Sequence, residues 1–432
     1  MVPTTGQGGA PAGGRGAWSA LRRLPLYAWV LVAVALAVPT GLALGEDARS
    51  LELLPKVILR GLTAIATPMV VLAILSAILT NEIRGRQGLR MMLFYLLNTL
   101  AALVISIALA NLVKPGVGVN LVEPSTLPSL PPRKSVTELV TELVPKSLGE
   151  ALAQNNIAQL VLVALAVALA LNAVRTRQLE RGETSAQQAV DLIVLGFELM
   201  MKVLWWIVAL VPFAVFGVVA ASVGGAEALR LLESLVWLIL VVVGGLACQV
   251  GWYLLLVGVI GRRSPLRFLR SASDAMAGAF STASTGATMP ITLRALEGPL
   301  GVSRASSQLA ACVGTNFNND GTALYQAAAV LFIAQALGIP LDLFDQILLA
   351  LTTIVASIGA GSIPSGSFVT LPLIFSAVGL PADKIPLLLT VDWFLDRCRT
   401  TCNVLGDITV AVLLDRTAGA EPAAVSQATS PP

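Results

Sequence analysis

The sequence predicts an all-α polytopic membrane fold, and three observations predict it. Of 432 residues, 56% are hydrophobic and 12% charged, with a mean hydropathy of +0.82, far from the charged share of a water-soluble domain. Six apolar runs, each long enough to cross a bilayer core, fill the first 260 residues. Beyond residue 268, two more apolar stretches are broken in matching ways by Gly, Ser, Thr and Pro.

Taken in order, residues 1–16 are Gly/Pro-rich and read as a disordered tail. Arg22 and Arg23 followed by the apolar run 24–44 imitate a signal peptide, yet the run is about 20 residues long and many spans follow, so it reads as the first transmembrane helix. The next spans are 53–80, 90–113, 156–174, 188–222 and 229–260. Arg84, Arg86 and Arg90 follow the second span, Arg175, Arg177 and Arg181 the fourth, and Arg262, Arg263, Arg267 and Arg270 the sixth. With Arg22 and Arg23, these put the N-terminus and every even-numbered exit in the cytoplasm, and the expected location is an inner membrane of bacterial type with both termini cytoplasmic. The segment 114–152, with "PSTLPSLPPRK", then reads as an external loop, and Trp205 and Trp206 beside Lys202 as an interfacial anchor.

Composition also excludes chemistry. The net charge of +3 comes from arginines that report orientation, not a nucleic-acid partner. No histidine is present, which removes the usual zinc and haem ligand, general base and proton relay together. Cys248, Cys312, Cys398 and Cys402 all fall in apolar or helix-like segments, which implies small buried hydrophobes and no disulfide framework.

From 268 onward simple span counting fails. "SASDAMAGAFSTASTGATMPITL" is interrupted around Pro290, and "ASIGAGSIPSGSFVTLPLIF" repeats that character around Pro364. Each precedes an apolar segment carrying Asn and Asp: Asn318 and Asp320 in "GTNFNNDGTALYQ", Asn403 and Asp407 in "VDWFLDRCRTTCNVLGD". Two copies of broken hairpin plus broken helix point to the binding site of a secondary transporter, because freed backbone groups at membrane depth are tolerated only where they line a cavity or meet a ligand.

The last of these stretches holds five charges, Asp392, Asp396, Arg397, Arg399 and Asp407. Each costs roughly 2.5 to 3.5 kcal/mol at the centre of a membrane helix. Asp392, Asp396, Arg399, Asn403 and Asp407 are spaced 4, 3, 4 and 4 residues apart and share one helical stripe, while Arg397 points away. A guanidinium fork suits a carboxylate, the Asp396 carboxylate suits an ammonium, and backbone N–H groups at the hairpin tips suit a second carboxylate. The complementary ligand is an acidic amino acid. Asp392 orients Arg399. Asp320 and Asp407 have no basic neighbour on their own stripes, and each accompanies an Asn in a segment expected to be unwound. A hard cation held by carboxylate and carbonyl oxygens, sodium first, fits them, and a proton on either is the rival.

At these residues the sequence resembles the glutamate transporter family, the dicarboxylate and acidic amino acid:cation symporters. "VDWFLDRCRTTCNVLGD" is close to the motif of the animal excitatory amino acid transporters, "NNDGTALYQ" is similar to their "NMDGTALY", and the hairpins resemble their "SSSSATLP" and "ASIGAAGIP" tips. The resemblance covers most of the chain and is sharpest from 268 to 412. It implies eight transmembrane helices plus two re-entrant helical hairpins with inverted repeats, in a homotrimeric elevator transporter. The implied division is scaffold helices 1 and 2 (17–89), transport-domain helix 3 (90–113), external loop and scaffold helices 4 and 5 (114–228), a transport domain (229–416) and a disordered tail (417–432).

By position, the resemblance implies that Asp396 binds the substrate amine and Arg399 its side-chain carboxylate. Asn403, Thr322 and the tips at Thr285 and Gly366 would bind the main-chain groups, with Ser284, Ile363 and Thr400 completing the set. One sodium would use Asp407 with carbonyls of Gly314, Asn318 and Asn403. A deeper one would use Asp320, Asn318, Tyr95, Thr99 and Asn98, and a third the carbonyls of Ser357, Ile358 and Ala360. Arg397 matches the animal-type placement of a second arginine that some prokaryotic relatives carry on the first hairpin, where this chain has Ala283. Asn319 replaces the family's Met and Asn316 its frequent Thr, both beside the third site, and "STASTGATMP" departs from the usual serine run. Two other readings differ in kind. An intramembrane aspartyl protease needs a Gly where Val404 stands, and a pure anion channel would not accumulate substrate.

Overall fold

The computed structural model describes residues 26–80, 85–119, 144–153, 157–223, 228–360 and 366–418. Every regular element among them is helical, with no strand. The N-terminal tail, most of the C-terminal tail and the middle of the 114–152 loop lie outside the described residues.

Helix α1 spans Leu26–Leu44 and passes through a 3₁₀ turn, Gly45–Glu52, into α2, Leu53–Thr80. Helix α3 spans Gly85–Val113, starting five residues before the apolar run that marks it in the sequence. A short helical segment, Leu148–Ala153, precedes α4, Ile157–Glu180. The run 188–222, expected as one helix, is two: α5, Ser185–Val208, and α6, Val211–Val223. The break has a local cause. Pro212 has no N–H to donate to the Val208 carbonyl, and the chain turns at Ala209 and Leu210, where proline is tolerated in the first turn of the new helix. Helix α7, Ala228–Val259, matches its apolar run to within a residue at either end. Among the described residues, five helical stretches are long and apolar enough to cross a membrane: Ala28–Thr80, Arg86–Val113, Leu162–Glu180, Ser185–Val223 and Arg230–Val259.

The second half is built from shorter pieces. Helices α8, Pro265–Thr282, and α9, Thr285–Glu297, form a hairpin whose two-residue tip is Ala283 and Ser284. Ala283 closes α8 in the left-handed region (φ 51°), and the Ser284 side chain caps α9 by accepting from the Ala287 amide. Helix α10, Arg304–Phe317, stops at Asn318 and Asn319 before α11, Asp320–Ala336, which is buried nearly all round. Helices α12, Leu343–Ala360, and α13, Ser367–Ala377, pack together as a second hairpin, and its connecting residues 361–365 lie outside the described ones. Helix α14, Leu389–Ala418, closes the fold.

Packing sorts these helices. Helices α1, α2, α4, α5 and α6 pack chiefly among themselves, whereas α14 contacts α7, α8, α9, α10 and α11, and α3 packs on α7 and α11. The broken helices are therefore wrapped around α14, and that brings the polar residues of four separate segments to one place.

Candidate functional site

Helix α14 presents the charged stripe inward. Asp392, Arg399, Asn403 and Asp407 are each at most 3% exposed, and the Asp396 side chain, at 14%, lies nearest the surface. Arg399 donates through Nη2 to Asp396 Oδ1 at 2.6 Å and sits 2.9 Å from Asp392 Oδ1. Its guanidinium lies over the Tyr325 ring, 4.1 Å from the centroid. Only Nη2 is used: the buried Nε and Nη1, one on either side of it, have no hydrogen-bond partner. A buried donor left unmatched costs about 1–3 kcal/mol, more for a charged group, and these two donors are open to an acceptor. The expectation that Asp392 orients Arg399 agrees with this geometry. Asn403 accepts from the Gly321 amide (2.8 Å) and donates to Thr322 Oγ1 (3.2 Å), which fixes α14 against the start of α11. Thr400 uses its hydroxyl on the Asp396 carbonyl one turn back (2.8 Å).

The hairpin tips are placed unequally. Thr285 is buried and its hydroxyl has no partner, while Ser284 serves as the cap of α9. Gly366 caps α13, and Ile363 lies outside the described residues. Arg397, on the other side of α14 from the stripe, donates to the carbonyls of Phe280 and Ser281, both at 2.7 Å, so it ties α14 to the end of α8 just before Ala283.

Two buried carboxylates lie deeper, neither in an ion pair among the described residues. Asp407 accepts from Asn318 Nδ2 (2.8 Å), which also donates to the Asn403 carbonyl (2.9 Å). Asn318 Oδ1 is buried with no partner, an oxygen available to a cation. A Cβ on Gly314 would fall 2.1 Å from Asp407 Oδ1, so the carboxylate rests directly on the α10 backbone and only glycine leaves room for it. Here one expectation is corrected. The Asn403–Asp407 stretch was expected to be unwound, but α14 is continuous through it. Gly406 is there for contact: a Cβ would meet Asn318 Nδ2 at 2.5 Å and the Tyr253 hydroxyl at 2.8 Å. The break that does occur, at Asn318 and Asn319, faces this intact helix.

Asp320 accepts from Thr99 Oγ1 (2.7 Å) and from the Tyr253 hydroxyl (2.6 Å). Of the residues implied for the deeper cation, Thr99 and Asp320 come together, while the Asn318 amide is turned to Asp407 and the Asn403 carbonyl. Two direct their polar atoms elsewhere: the Tyr95 hydroxyl donates to the Ala310 carbonyl (2.7 Å), and Asn98 Oδ1 accepts from the Trp252 indole (3.1 Å). Near the second hairpin, Asn319 Nδ2 donates to the Ser357 carbonyl (2.9 Å) and to the Asn316 carbonyl (3.3 Å), so the residue that departs from the family motif takes up one of the oxygens implied for a third cation. Ile358 and Ala360 belong to the last turn of α12.

Gln249, Trp252 and Tyr253 were not singled out in the sequence, although their spacing of three and four residues puts them on one face of an otherwise apolar helix. That polar stripe was the available signal. Gln249 donates to the Asn98 carbonyl (3.1 Å), so α7 holds both Asn98 and Asp320 in place. Replacing Tyr253 by Phe leaves Asp320 Oδ2 without its donor in a wholly buried setting. The variant is expected to lose about 1.5–3 kcal/mol of stability, read as a lowered unfolding temperature in detergent.

The pattern of the sodium:dicarboxylate symporter family matches residues 26–417. The chain is 28% identical to rabbit (Oryctolagus cuniculus) excitatory amino acid transporter 3 over 437 aligned residues, 88% of this chain and 83% of that protein. It is 30% identical to mouse (Mus musculus) excitatory amino acid transporter 2 over 411 residues, 81% and 70% of the two chains. Over 153 residues, 35% of this chain and 29% of the relative, it is 49% identical to a putative sodium-dependent excitatory amino acid transporter, glt-3, of Caenorhabditis elegans.

Proposed function

This chain belongs to the sodium:dicarboxylate symporter family, and from that premise we propose that it couples inward sodium flow to the uptake of glutamate or aspartate. The observation that carries the reading is the guanidinium of Arg399, buried, held by Asp392 and Asp396 through Nη2 and unmatched at Nε and Nη1. A substrate side-chain carboxylate accepts from these free donors. Its ammonium goes to Asp396, the most exposed carboxylate of the stripe, and its main-chain carboxylate to the Thr285 hydroxyl, Thr322 and Asn403. Sodium is cargo here. It is held by Asp407 with Asn318 Oδ1 and the nearby carbonyls, and by Asp320 with Thr99.

The family and its excitatory amino acid transporter relatives support sodium coupling, an amino-acid substrate and a multi-pass membrane location. The finer assignments complete the proposal: eight transmembrane helices and two re-entrant hairpins, a homotrimer in an inner membrane with cytoplasmic termini, and a scaffold past which residues 229–416 with helix 3 move as an elevator. The preference of α14 for contacts with α7 to α11, and of α1, α2, α4, α5 and α6 for one another, supports two such bodies.

A C4-dicarboxylate lacks the amine and would bring two acid groups to a site already holding Asp396. Competition separates the substrates. Unlabelled glutamate is expected to suppress labelled aspartate uptake at least tenfold more effectively than succinate. Equal or stronger suppression by succinate would replace the amino-acid assignment with a dicarboxylate one.

A further inference from the structure

Two helices end at one buried point. Helix α10 stops at Phe317 and α12 at Ala360, and the last four carbonyls of an α-helix have no donor within it. Two of those carbonyls, Asn316 on α10 and Ser357 on α12, converge on the Asn319 side chain, which is 2% exposed. Its Nδ2 donates to Ser357 (2.9 Å) and to Asn316 (3.3 Å). Each carbonyl also stands at the negative end of a helix dipole. Left bare, a buried spot where two such ends meet would draw a cation.

Here a side chain fills it. The orientation of the amide follows from its partners, because carbonyls only accept and therefore face Nδ2, while Oδ1 accepts from Asn403 Nδ2 on α14 (3.4 Å). Asn319 precedes α11 without capping it, so its amide is engaged in these contacts alone and joins α10, α12 and α14. The contrast with the two buried carboxylates is plain. Asp407 and Asp320 bring formal negative charge, and Asn318 Oδ1 beside Asp407 has no partner, so both places call for a cation. A hard cation needs several oxygens turned on it. At Asn319 the converging oxygens are turned on an N–H donor instead, and an approaching ion meets its positive end.

We propose that Asn319 stands in for a coupling ion, so that the second hairpin is joined to α10 and α14 by an amide rather than by sodium, and each substrate crosses with two sodium ions, those of Asp407 and Asp320. This inference rests on the transport reading and sets its stoichiometry. Glutamate or aspartate with one net negative charge then moves with one net positive charge per cycle.

The ratio is read from the point at which transport balances. Full-length protein in proteoliposomes is given an inward sodium gradient of about tenfold, with the potential held at zero by valinomycin and equal potassium, and with equal pH on both sides. Net flux of labelled aspartate stops when the inside-to-outside aspartate ratio equals the sodium ratio raised to the number of coupled ions. Two ions give a balance at about hundredfold and three at about thousandfold. The unaltered protein is expected to balance at about hundredfold. Asn319→Met replaces the donor with a flexible apolar side chain, and the freed carbonyls are expected to take an ion and move the balance to about thousandfold. Asn319→Ala frees the same carbonyls and serves where Met is not accommodated. A balance at about thousandfold in the unaltered protein overturns the proposal and leaves the transport reading standing. Variants that still balance at about hundredfold overturn the role of Asn319. Absence of sodium-driven uptake overturns the transport reading as well, which keeps the two failures apart.

Discussion

Arg399→Cys is expected to lower glutamate and aspartate uptake more than a hundredfold and to admit small neutral amino acids such as serine. The side chain is 1% exposed and is the cation shared by Asp392 and Asp396, at 2.9 and 2.6 Å. Truncating one member of a desolvated, hydrogen-bonded charge pair costs about 2–5 kcal/mol or more, enough for a loss of that size. Removing the guanidinium also strands the buried Asp392 carboxylate beside the part-buried Asp396, at a further cost to stability of about 3–5 kcal/mol. Uptake should therefore be normalised to folded protein measured by size-exclusion and thermal unfolding. Gain of serine uptake is the informative half of the result, because a merely misfolded variant gains nothing. Unchanged glutamate uptake would remove Arg399 from the binding role.

The second large effect is expected at Gly314. In an ordinary helix Gly→Ala stabilises by up to about 1 kcal/mol. Here the added methyl would lie 2.1 Å from Asp407 Oδ1 and 2.8 Å from the Tyr95 hydroxyl, so the carboxylate must leave its place. Gly314→Ala is expected to raise the sodium concentration for half-maximal uptake at least tenfold and to destabilise the protein by about 1–3 kcal/mol, as overpacking does. The check is uptake against sodium concentration, with thermal unfolding in sodium and in choline chloride alongside. Unaltered sodium dependence would detach Asp407 from the ion.

Much of this was legible in the sequence because membranes make polarity expensive. Asp396, Arg399 and Asn403 stand out against apolar neighbours at helical spacing, and the tip at Ala283 and Ser284 shows through its loss of hydrophobic continuity. The parts that were not legible are those set by a neighbour. Glycine can break a helix or admit a close contact, and Gly406 does the second: α14 runs on while Asn318 and Tyr253 pack against its bare backbone. Asn98 in sequence offers an oxygen to a cation, but Trp252, 154 residues away, takes that oxygen. Tyr253 reaches Asp320 across 67 residues, and no local pattern announces it. The end of α5 was missed for a simpler reason, since Pro212 interrupts hydrogen bonding without interrupting hydrophobicity.

The central claim is that the unmatched buried oxygens and donors of this site are completed by an acidic amino acid together with sodium during each transport event. Uptake of labelled aspartate into proteoliposomes, with inward sodium, potassium and proton gradients imposed one at a time, tests it most directly. An inward sodium gradient is expected to drive accumulation above the passive ratio, and the other two alone are not. Accumulation driven by a proton gradient and indifferent to sodium would contradict the assignment of Asp320 and Asp407 to sodium.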